Sequence, residues 1–413
     1  MTERIHLAVA LDGAGWHPAA WREESARPTE LTSPAYWREL VQTAERAGVL
    51  FATLEDALSL GGRSYEADAE TRRDRARGRL DAVLLASFLA PLTERIGLVP
   101  TVTTTHPEPF HIATGLQTLD HASHGRAGAR FVAGANAQER ANFGRRSDPT
   151  GSPTDLASVG SLRVEDHPEW LAAFREAGDV IDAVRRLADS WEDDAIIRDT
   201  VTGKFLDRDR IHNLEFEGEF FAITGASIVP RSPQGQPLVT VLAHLRVPYR
   251  LAAEYADVVF VTPADAAATA GILAELAEAS AELRTEPEPL RVFADLLVLI
   301  EDTRAAADQA WARLQDRAQL ITDARVVVGT ADDVVAEIAA LADAGVDGIR
   351  LRPARLPADL AAITEQVVPL ISDAGILASD NGAPTLRERL GLPRRASRFA
   401  DQTSRFAKQE TRA

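Results

Sequence analysis

The 413-residue chain contains no cysteine, only one methionine and only two lysines, Lys204 and Lys408. Without cysteine there can be no disulfide, no thiolate nucleophile, no iron–sulfur cluster and no cysteine-ligated zinc. Catalytic chemistry therefore has to come from other side chains or from a bound cofactor. Because lysine is so scarce, arginine supplies nearly all of the positive charge, and we attribute this first to codon bias.

The chain also has fewer basic than acidic residues, and its formal net charge is −17 at pH 7. Proteins that bind nucleic acids draw affinity from clustered cations, so nucleic acid is not an expected partner. The N-terminal apolar run at residues 5–11 ends at Asp12 and is too short for a signal-peptide core or a membrane span. We therefore expect a cytoplasmic protein without a membrane partner.

The chain does contain a repeated junction in which an amphipathic helix ends at a small residue and leads within a few residues into a β-branched segment. The first such helix is expected to begin with Ser33 as N-cap and Pro34 at its first position, and to end at Gly48. Similar junctions precede apolar segments at residues 258–262 and 346–351. Parallel strands need helical crossovers, so these junctions indicate a sheet of βα units.

Eight strands are predicted in this way. They cover residues 5–11, 49–54, 96–103, 126–133, 238–243, 258–262, 292–300 and 346–351. Eight is the strand number of a closed (β/α)8 barrel, so we predict an α/β fold of the TIM-barrel type. A doubly wound open sheet is the alternative, although no Gly-x-Gly-x-x-Gly fingerprint follows the first strand.

The barrel domain is predicted to cover residues 1–382. A basic C-terminal extension at residues 383–413 is expected to wrap around the outside. Polar or irregular insertions are predicted at about residues 61–79, 145–166 and 192–237. On a barrel, long insertions usually lie at the C-terminal rim of the strands and cover the active site.

Residues 97–110, GLVPTVTTTHPEPF, resemble a barrel strand that ends in a hydroxyl cluster in bacterial-luciferase-like flavin monooxygenases. Residues 118–128, TLDHASHGRAG, are similar to that family's TLDHLSGGRAGW stretch, and residues 142–144 match its NFG motif. Further matches occur in order at residues 13–21, 216–221, 230–235 and 386–393. The resemblance thus covers nearly the whole chain, and its nearest branch is that of nitrilotriacetate and dibenzothiophene-sulfone monooxygenases.

This resemblance implies a (β/α)8 barrel that binds reduced FMN, supplied by a separate flavin reductase, and uses O2 to oxygenate a small organic substrate. It also implies a homodimer or homotetramer. In such enzymes the flavin carries the difficult chemistry, while the protein holds the ring, excludes water and orients the substrate. The motifs do not identify the substrate or the atom that is oxygenated.

Three other functions remain alternatives. The same barrel could use the deazaflavin F420 for hydride transfer, or it could be a flavin-binding homologue without catalytic activity. A metal-dependent barrel hydrolase is disfavoured, because no predicted strand carries a His-x-His pair and no helix carries His-Glu-x-x-His. We therefore expect no metal site.

The resemblance places several candidate cofactor contacts at strand ends. Asp56 follows the second strand, where the family has an acidic residue near the flavin, although a helix or turn cap is the structural alternative. Thr103, Thr104 and Thr105 end the third strand at the family's flavin-contacting segment. Side chains alternate along a strand, so Thr103 and Thr105 share one side and Thr104 takes the other.

Two histidines are candidate catalytic residues. His17 and His106 both fall in loops after predicted strands, at the rim where barrel enzymes carry their chemistry. A histidine there could hydrogen-bond the flavin or act as an acid–base group, because its unperturbed pKa is near neutrality. A merely solvated loop histidine is the alternative.

The sequence departs from the family at the flavin phosphate. The family's Gly-Trp-Asn at the fourth strand is replaced by a segment that ends in Arg130, and its His-x-x-Arg-Tyr helix aligns with residues 170–174, which keep neither polar partner. Its serine pair corresponds to a segment containing His244 and Arg246. Arginine binds phosphate bidentately, and a loop entering a helix adds amide donors, so we hypothesise that His244, Arg246 and Arg130 rebuild this site. Surface arginines in an arginine-rich protein are the alternative.

Overall fold

The computed structural model describes residues 4–60, 75–134, 137–143, 168–379 and 381–399. Most of the predicted insertions at about residues 61–79 and 145–166 lie outside this described part of the chain. Within it, no helix is both long and apolar enough to cross a membrane.

The described chain forms thirteen strands, most of them buried. They are β1 (His6–Leu11), β2 (Phe51–Leu54), β3 (Gly97–Thr103), β4 (Gly128–Val132), β5 (Ile196–Asp199), β6 (Lys204–Leu206), β7 (Phe216–Glu217), β8 (Ala222–Ile223), β9 (Leu238–Leu242), β10 (Val258–Val261), β11 (Arg291–Ile300), β12 (Arg325–Gly329) and β13 (Gly348–Pro353). Strands β1, β2, β3, β4, β9, β10, β11 and β13 pair in parallel in that order, and β13 pairs back with β1. The eight-stranded barrel is therefore closed.

All eight predicted barrel strands are confirmed, with their ends displaced by no more than a few residues. The doubly wound alternative is wrong, because β10 pairs with β11 and β13 pairs with β1, which leaves the barrel sheet without free edges. Strand β12 was not predicted; it lies in the connection from β11 to β13, and among the described strands it pairs with the C-terminal half of β11 alone.

Helices connect the strands and surround the barrel. They are α1 (Pro34–Arg46), α2 (Ala82–Leu89), α3 (Pro109–Ala122), α4 (Ala137–Asn142), α5 (Pro168–Asp189), α6 (Arg246–Tyr255), α7 (Ala266–Leu283), α8 (Arg304–Arg317), α9 (Ala331–Asp343), α10 (Ala358–Ala362), α11 (Val368–Asp373) and α12 (Leu386–Arg389), with a π-helical turn at Ile363–Val367.

Helix α1 illustrates how the sequence sets the helix ends. Ser33 occupies the predicted N-cap position, although its side chain makes no capping hydrogen bond, and Pro34 supplies the fixed φ of the first turn. Tyr36, Trp37, Leu40, Val41 and Ala44 form the buried face. Gly48 adopts a φ of +83°, which glycine tolerates best, and the chain turns there into β2.

An aromatic layer fills the barrel near the N-terminal ends of the strands. The rings of Phe51, Phe260 and Phe293 lie 5.5–6.2 Å apart. Leu386, Leu390 and Leu392 pack against the same cluster and are almost fully buried. The expectation that the C-terminal extension wraps the outside is therefore wrong for these leucines, because they close the N-terminal end of the barrel.

A buried ionic cluster, here called the lower cluster, fixes this C-terminal segment. The carboxylate of Asp257 is paired with Arg387 at 2.8 Å, with Arg395 at 2.9 Å and with Arg185 at 3.2 Å. Burial opposes the ionisation of Asp257, but the three guanidinium groups hold its pKa well below the usual range. The cluster joins α5, the start of β10 and the C-terminal segment.

The predicted insertion at 192–237 is described and lies outside the barrel sheet. It contains two small antiparallel hairpins, one formed by β5 and β6 and the other by β7 and β8. Gln234, also within this insertion, donates to the Asp120 side chain and accepts from the Arg387 amide, so it ties the insertion to α3 and α12.

Candidate active site

A cavity of about 630 Å³ opens at the C-terminal ends of the barrel strands. This volume is in the range of small-molecule sites, and the C-terminal face is where barrel enzymes place their chemistry. The strands contribute Glu55, Arg130, Leu242, Leu297 and Arg352, and the loop after β1 contributes residues 12–18 and Trp21. The segment 75–80 and residues 320–323 supply further walls.

The loop after β1 is held against the loop after β13. Trp16 donates its backbone N–H to Pro353 O and its indole N–H to Ala10 O at 2.8 Å. Gly15 has a φ of +124°, and a Cβ at this position would overlap the backbone carbonyl of Ala354. Only glycine fits where these two loops cross, so the position of Trp16 depends on it.

The floor of the cavity is ionic. Arg130 projects from β4 and is 2 % exposed, with its guanidinium paired to Glu55 and hydrogen-bonded to the Thr101 hydroxyl at 3.0 Å. Arg350 from β13 is fully buried and pairs with Asp295 at 2.5 Å, while its guanidinium carbon lies 3.8 Å from the centre of the Phe260 ring. We call the group of Glu55, Asp295, Arg130, Arg350 and Arg352 the upper network.

Arg352 connects the upper network to the cavity wall. It pairs with Asp295 and lies 3.7 Å from Asp323, and its guanidinium carbon is 4.6 Å from the centre of the Trp16 ring. Its Nε is buried and has no hydrogen-bond partner in the described structure. Burial lowers the pKa of Arg352, but Asp295 and Asp323 outweigh that effect, so the residue is a permanent cation.

His17 lines the cavity and is 1 % exposed. Its Nδ1 accepts from the Ala19 amide at 3.2 Å, and its ring meets Trp311 edge-on at 5.2 Å. Burial lowers the pKa of His17 to about 4, so the imidazole is neutral at physiological pH. With Nδ1 accepting, Nε2 carries the proton, and the ring is a hydrogen-bond donor rather than a proton source.

Asp56 is placed as a cap. One carboxylate oxygen accepts from the Ala57 amide at 2.7 Å and the other accepts from the Ala82 amide, at the start of α2, at 3.0 Å. Burial raises the pKa of Asp56, and these two amides partly offset the effect. The structure thus shows the capping arrangement, while a flavin contact by Asp56 stays a prediction.

The threonines at residues 103–105, at the end of β3 and just after it, lie against the end of β4. The Thr104 hydroxyl donates to Val132 O at 3.2 Å, and the Thr105 hydroxyl accepts from the Gly134 amide at 2.8 Å. Thr103 is buried, and its Cγ2 would lie only 2.8 Å from a Cβ added at Gly134. None of the three is among the described residues that line the cavity, so their contact with flavin stays a prediction.

His106 belongs to a different part of the rim. Its ring stacks on Phe143 at 5.1 Å, and the neighbouring Asn142 donates to Leu58 O at 2.9 Å. Asn142 lines the cavity, whereas His106 is not among the described lining residues. The segment that resembles the NFG motif therefore joins the loops after β2, β3 and β4, and a catalytic role for His106 stays a prediction.

The three residues of the phosphate hypothesis have different surroundings. Arg130 is committed to the upper network, whereas Arg246 is exposed at the first residue of α6. His244 Nδ1 lies 3.4 Å from Asp323, which lines the cavity. Residues 170–174 align with the family's His-x-x-Arg-Tyr helix but lack its two polar phosphate contacts. In this segment Trp170 and Phe174 pack against the core.

Four residues of the upper network were not predicted from the sequence, namely Glu55, Asp295, Arg350 and Arg352. A signal was present, because Asp295 interrupts the apolar strand β11 and the two arginines alternate with Ile349 and Leu351 in β13. A charged residue within an apolar strand is costly unless it is paired, so such positions point to a buried network. Glu55 and Asp56 directly follow β2, and Glu55 lines the cavity whereas Asp56 is not among the described lining residues.

Comparison with known proteins gives a consistent result. A family model described as luciferase-like monooxygenase matches residues 16–322. N-acetyl-S-(2-succino)cysteine monooxygenase of Bacillus subtilis is 27 % identical over 96 % of this chain and 99 % of its own length. Nitrilotriacetate monooxygenase component A of Aminobacter aminovorans is 32 % identical over 74 % of this chain and 64 % of its own length.

Solved structures share the fold. A long-chain alkane monooxygenase superposes with a TM-score of 0.79 at 21 % identity, covering 95 % of this chain and 96 % of that chain. The EDTA monooxygenase of Chelativorans sp. BNC1 gives 0.76 at 21 % identity, with 95 % and 99 % covered. An F420-dependent secondary alcohol dehydrogenase is more distant, with a TM-score of 0.58 at 14 % identity over 89 % of this chain and 99 % of that chain.

Proposed function

The chain belongs to the luciferase-like monooxygenase family, and on that premise we propose that it is a flavin-dependent monooxygenase that uses reduced FMN and O2 to oxygenate a small organic substrate. The observation that carries the proposal is the cavity at the C-terminal mouth of the barrel, with Trp16 and Arg352 in its wall and a charged floor. The family model covers the residues of most of this wall.

The residues present fit a flavin. A flavin is a flat aromatic ring with polar edges and a charged phosphate tail. Trp16 offers an aromatic face, and Arg352 beside it offers a buried Nε–H without a hydrogen-bond partner in the described structure. Such a donor is costly to leave unpaired, and a polar ring edge would satisfy it. Leu31, Leu85, Leu242, Leu297 and Leu320 give the cavity its apolar surface.

When bound, reduced FMN supplies the electrons with which O2 is activated. The chain itself binds the flavin, orients the substrate and excludes water. The upper network keeps Arg352 charged and fixed beside Trp16, so the cofactor meets a preorganised cation that costs no reorganisation. His17, neutral and held by the Ala19 amide, offers a hydrogen-bond donor but no readily lost proton.

We place the flavin phosphate at the start of α6. The N-cap residue Leu245 makes no side-chain capping hydrogen bond, so the first amides of α6 remain available to an anion. Arg246 is exposed beside them, and His244 precedes them. Arg130 is left out of this site, because Glu55 and Thr101 already bind its guanidinium.

We also propose that a separate reductase supplies the reduced flavin. One relative is named as component A of its monooxygenase, which agrees with a two-component system.

We also propose a homo-oligomer, because the family resemblance implies one. Helix α2 is a candidate contact, because Leu84 and Phe88 on its outer face are 70 % and 43 % exposed. Light scattering of the purified protein tests the oligomer.

The test of the function uses purified protein, FMN, NADH and a flavin reductase. We expect reduced FMN to bind and a suitable substrate to gain one oxygen atom from ¹⁸O2, detected by mass spectrometry. Flavin binding without any product over a broad substrate panel would instead favour a non-catalytic flavin-binding protein. Failure of reduced FMN to bind would contradict the proposed function directly.

A further inference from the structure

One carboxylate in the cavity wall faces two residues that the proposed function assigns to different parts of the flavin. Asp323 lies in the segment before β12 and lines the cavity. Its Oδ1 is 3.7 Å from a guanidinium nitrogen of Arg352, and its Oδ2 is 3.4 Å from Nδ1 of His244. Arg352 lies beside Trp16, and His244 precedes α6. Asp323 therefore joins the proposed ring contact to the proposed phosphate site.

Arg352 alone does not account for the position of Asp323. The fully buried carboxylate of Asp295 already forms an ion pair with Arg352, at closer range than Asp323 does. The Asp323 side chain is 40 % exposed, so water solvates its charge and burial does not require a second partner. The other neighbour, His244, is therefore the residue on which Asp323 acts most directly.

The two ring nitrogens of His244 have different surroundings. Nδ1, which faces Asp323, is buried and forms no hydrogen bond within the described structure. The side chain as a whole is 33 % exposed, and Nε2 is not among the buried nitrogens without a partner. Contact with a ligand is therefore left to the Nε2 edge of the ring.

A neutral imidazole cannot satisfy a carboxylate at Nδ1 and a phosphate at Nε2 at the same time. It carries one N–H and one lone pair, so one nitrogen would face an anion without a proton to donate. The imidazolium carries a proton on both nitrogens and donates to both anions. Imidazole is also the side chain that gains a proton most readily near neutral pH. A phosphate bound beside this ring therefore favours its protonated form.

The other charged groups around this position agree with an anion site. Arg246, the first residue of α6, is exposed, and the N-cap Leu245 leaves the first amides of the helix uncapped by a side chain. The Nε of Arg352 is buried and has no hydrogen-bond partner in the described structure. Within the described part of the chain, Asp323 is the carboxylate that pairs with His244. Asp323 and a bound phosphate would thus be the two anions on either side of the imidazole.

Resting on the function proposed above, we propose that Asp323 is a positioning residue that holds His244 with Nδ1–H toward its carboxylate, so that His244 takes up a proton when the flavin phosphate binds. The proton comes from solvent and returns to it when the flavin leaves. A carboxylate beside a phosphate site would otherwise weaken binding by repulsion. The proposal therefore predicts an effect of Asp323 that is opposite in sign to that of a simple negative charge.

The test is anaerobic calorimetric titration with reduced FMN, in two buffers of different ionisation enthalpy, at pH 7.5 and at pH 6.0. The proteins are wild type, Asp323→Asn, His244→Gln and the matched control Asp316→Asn. Asp316 is exposed on α8 and is not among the described residues that line the cavity. Comparison of variants at each pH cancels the protons that the flavin itself gains or loses. Reduced riboflavin, which has the same ring and no phosphate, is titrated in parallel.

At pH 7.5 we expect wild type and Asp316→Asn to take up at least half a proton more per bound FMN than His244→Gln. Asp323→Asn should lose most of this uptake and bind reduced FMN about tenfold more weakly, because a charge-assisted hydrogen bond to the phosphate is lost. At pH 6.0 its Kd should return to within about threefold of wild type, since the imidazole is then protonated without the carboxylate. Binding of reduced riboflavin should be the same in all four proteins.

Unchanged or tighter binding of reduced FMN to Asp323→Asn at pH 7.5 would overturn the proposal, because Asp323 would then act as a plain negative charge. Equal proton uptake by wild type and His244→Gln would overturn it as well. If Asp323→Asn lost riboflavin and FMN affinity equally, Asp323 would act on the ring through Arg352 and the assignment to the phosphate would be wrong. Absence of FMN binding to wild type would instead contradict the proposed function, so the two proposals fail with different signatures.

Discussion

Both ends of this barrel contain buried arginines that share a buried aspartate, but the two groups have different neighbours. In the upper network, Glu55 and Asp295 hold Arg130, Arg350 and Arg352 beneath an open cavity. In the lower cluster, Asp257 holds three arginines, two of which belong to the C-terminal segment. The same chemistry thus prepares a binding surface at one end and fastens the chain at the other.

The comparison shows that burial and charge alone do not identify a functional site. In both groups guanidinium groups outweigh burial and lower the pKa of the shared aspartate, Asp257 at one end and Asp295 at the other, yet the leucines of the C-terminal segment close the end that holds Asp257. The upper network has Arg352 and Trp16 in a cavity wall. Access to a ligand, rather than the size of a pKa shift, separates the two.

The largest expected effect is at the lower cluster. Replacing Asp257 with Asn leaves Arg185, Arg387 and Arg395 buried without their shared carboxylate, which should lower the free energy of unfolding by about 3–5 kcal/mol. Urea denaturation measures this loss. The exposed substitution Glu254→Gln on α6 is the control and should change it by less than about 0.5 kcal/mol. A loss below about 1 kcal/mol for Asp257→Asn would show that the cluster does not fasten the segment.

For Glu55→Gln in the upper network we expect the free energy of unfolding to fall by about 3 kcal/mol. The loss is smaller because Arg130 keeps its hydrogen bonds to Thr101 and borders a cavity. Here a ligand can compensate. Adding FMN should raise the Tm of Glu55→Gln by more than it raises that of wild type, since the cavity has gained positive charge. The shift for Asp257→Asn should equal that of wild type, and identical ligand shifts in all three would remove the distinction between the two ends.

His17 is expected to make the stability of the cavity end of the barrel depend on pH. Its pKa is about 4 in the folded protein and near 6.5 when unfolded, so between these values the unfolded chain binds more protons and stability falls as pH falls. The loss attributable to His17 is roughly 2–3 kcal/mol between pH 6.5 and pH 4. The variant His17→Asn retains an acceptor for the Ala19 amide and should show a shallower fall, measured by denaturation at each pH. Parallel profiles for both proteins would mean that His17 titrates normally.

The smallest effect is expected at Asp56. Its carboxylate caps the loop after β2 and the start of α2, so Asp56→Ala should cost about 1 kcal/mol of stability and leave FMN affinity unchanged. Asp56→Asn, which keeps one acceptor oxygen, should cost less. A large loss of FMN affinity with little loss of stability would favour the flavin contact that the family resemblance suggested.

The fold was accessible from the sequence because its signals are local. Each barrel strand is a short apolar run next to a helix that ends at a small residue, as at Gly48 before β2. Strand β12 was not predicted because it lies within the connection between β11 and β13. It pairs with the C-terminal half of β11. The leucines at 386, 390 and 392 were predicted to belong to an external C-terminal extension. No local sequence signal shows that they contact the cluster of Phe51 and Phe293 in the barrel.

The site was less accessible, because its pairs join distant parts of the chain. Arg350 meets Asp295, and His244 meets Asp323, only after the barrel has closed. The family resemblance predicts a flavin contact for Asp56, which stays a prediction, whereas its neighbour Glu55 is among the described residues that line the cavity. Glu55 directly follows β2, and no spacing in the sequence shows that its partner is Arg130 on β4.

The central claim is that the upper network and its cavity bind reduced FMN, and anaerobic equilibrium titration with reduced FMN tests it most directly. Wild type and Asp257→Asn, under conditions in which both are folded, should bind reduced FMN with the same Kd, whereas Arg352→Met should bind at least tenfold more weakly. Reduced F420 should not compete. Equal affinity in Arg352→Met, or binding of reduced F420 in preference to reduced FMN, would contradict the account.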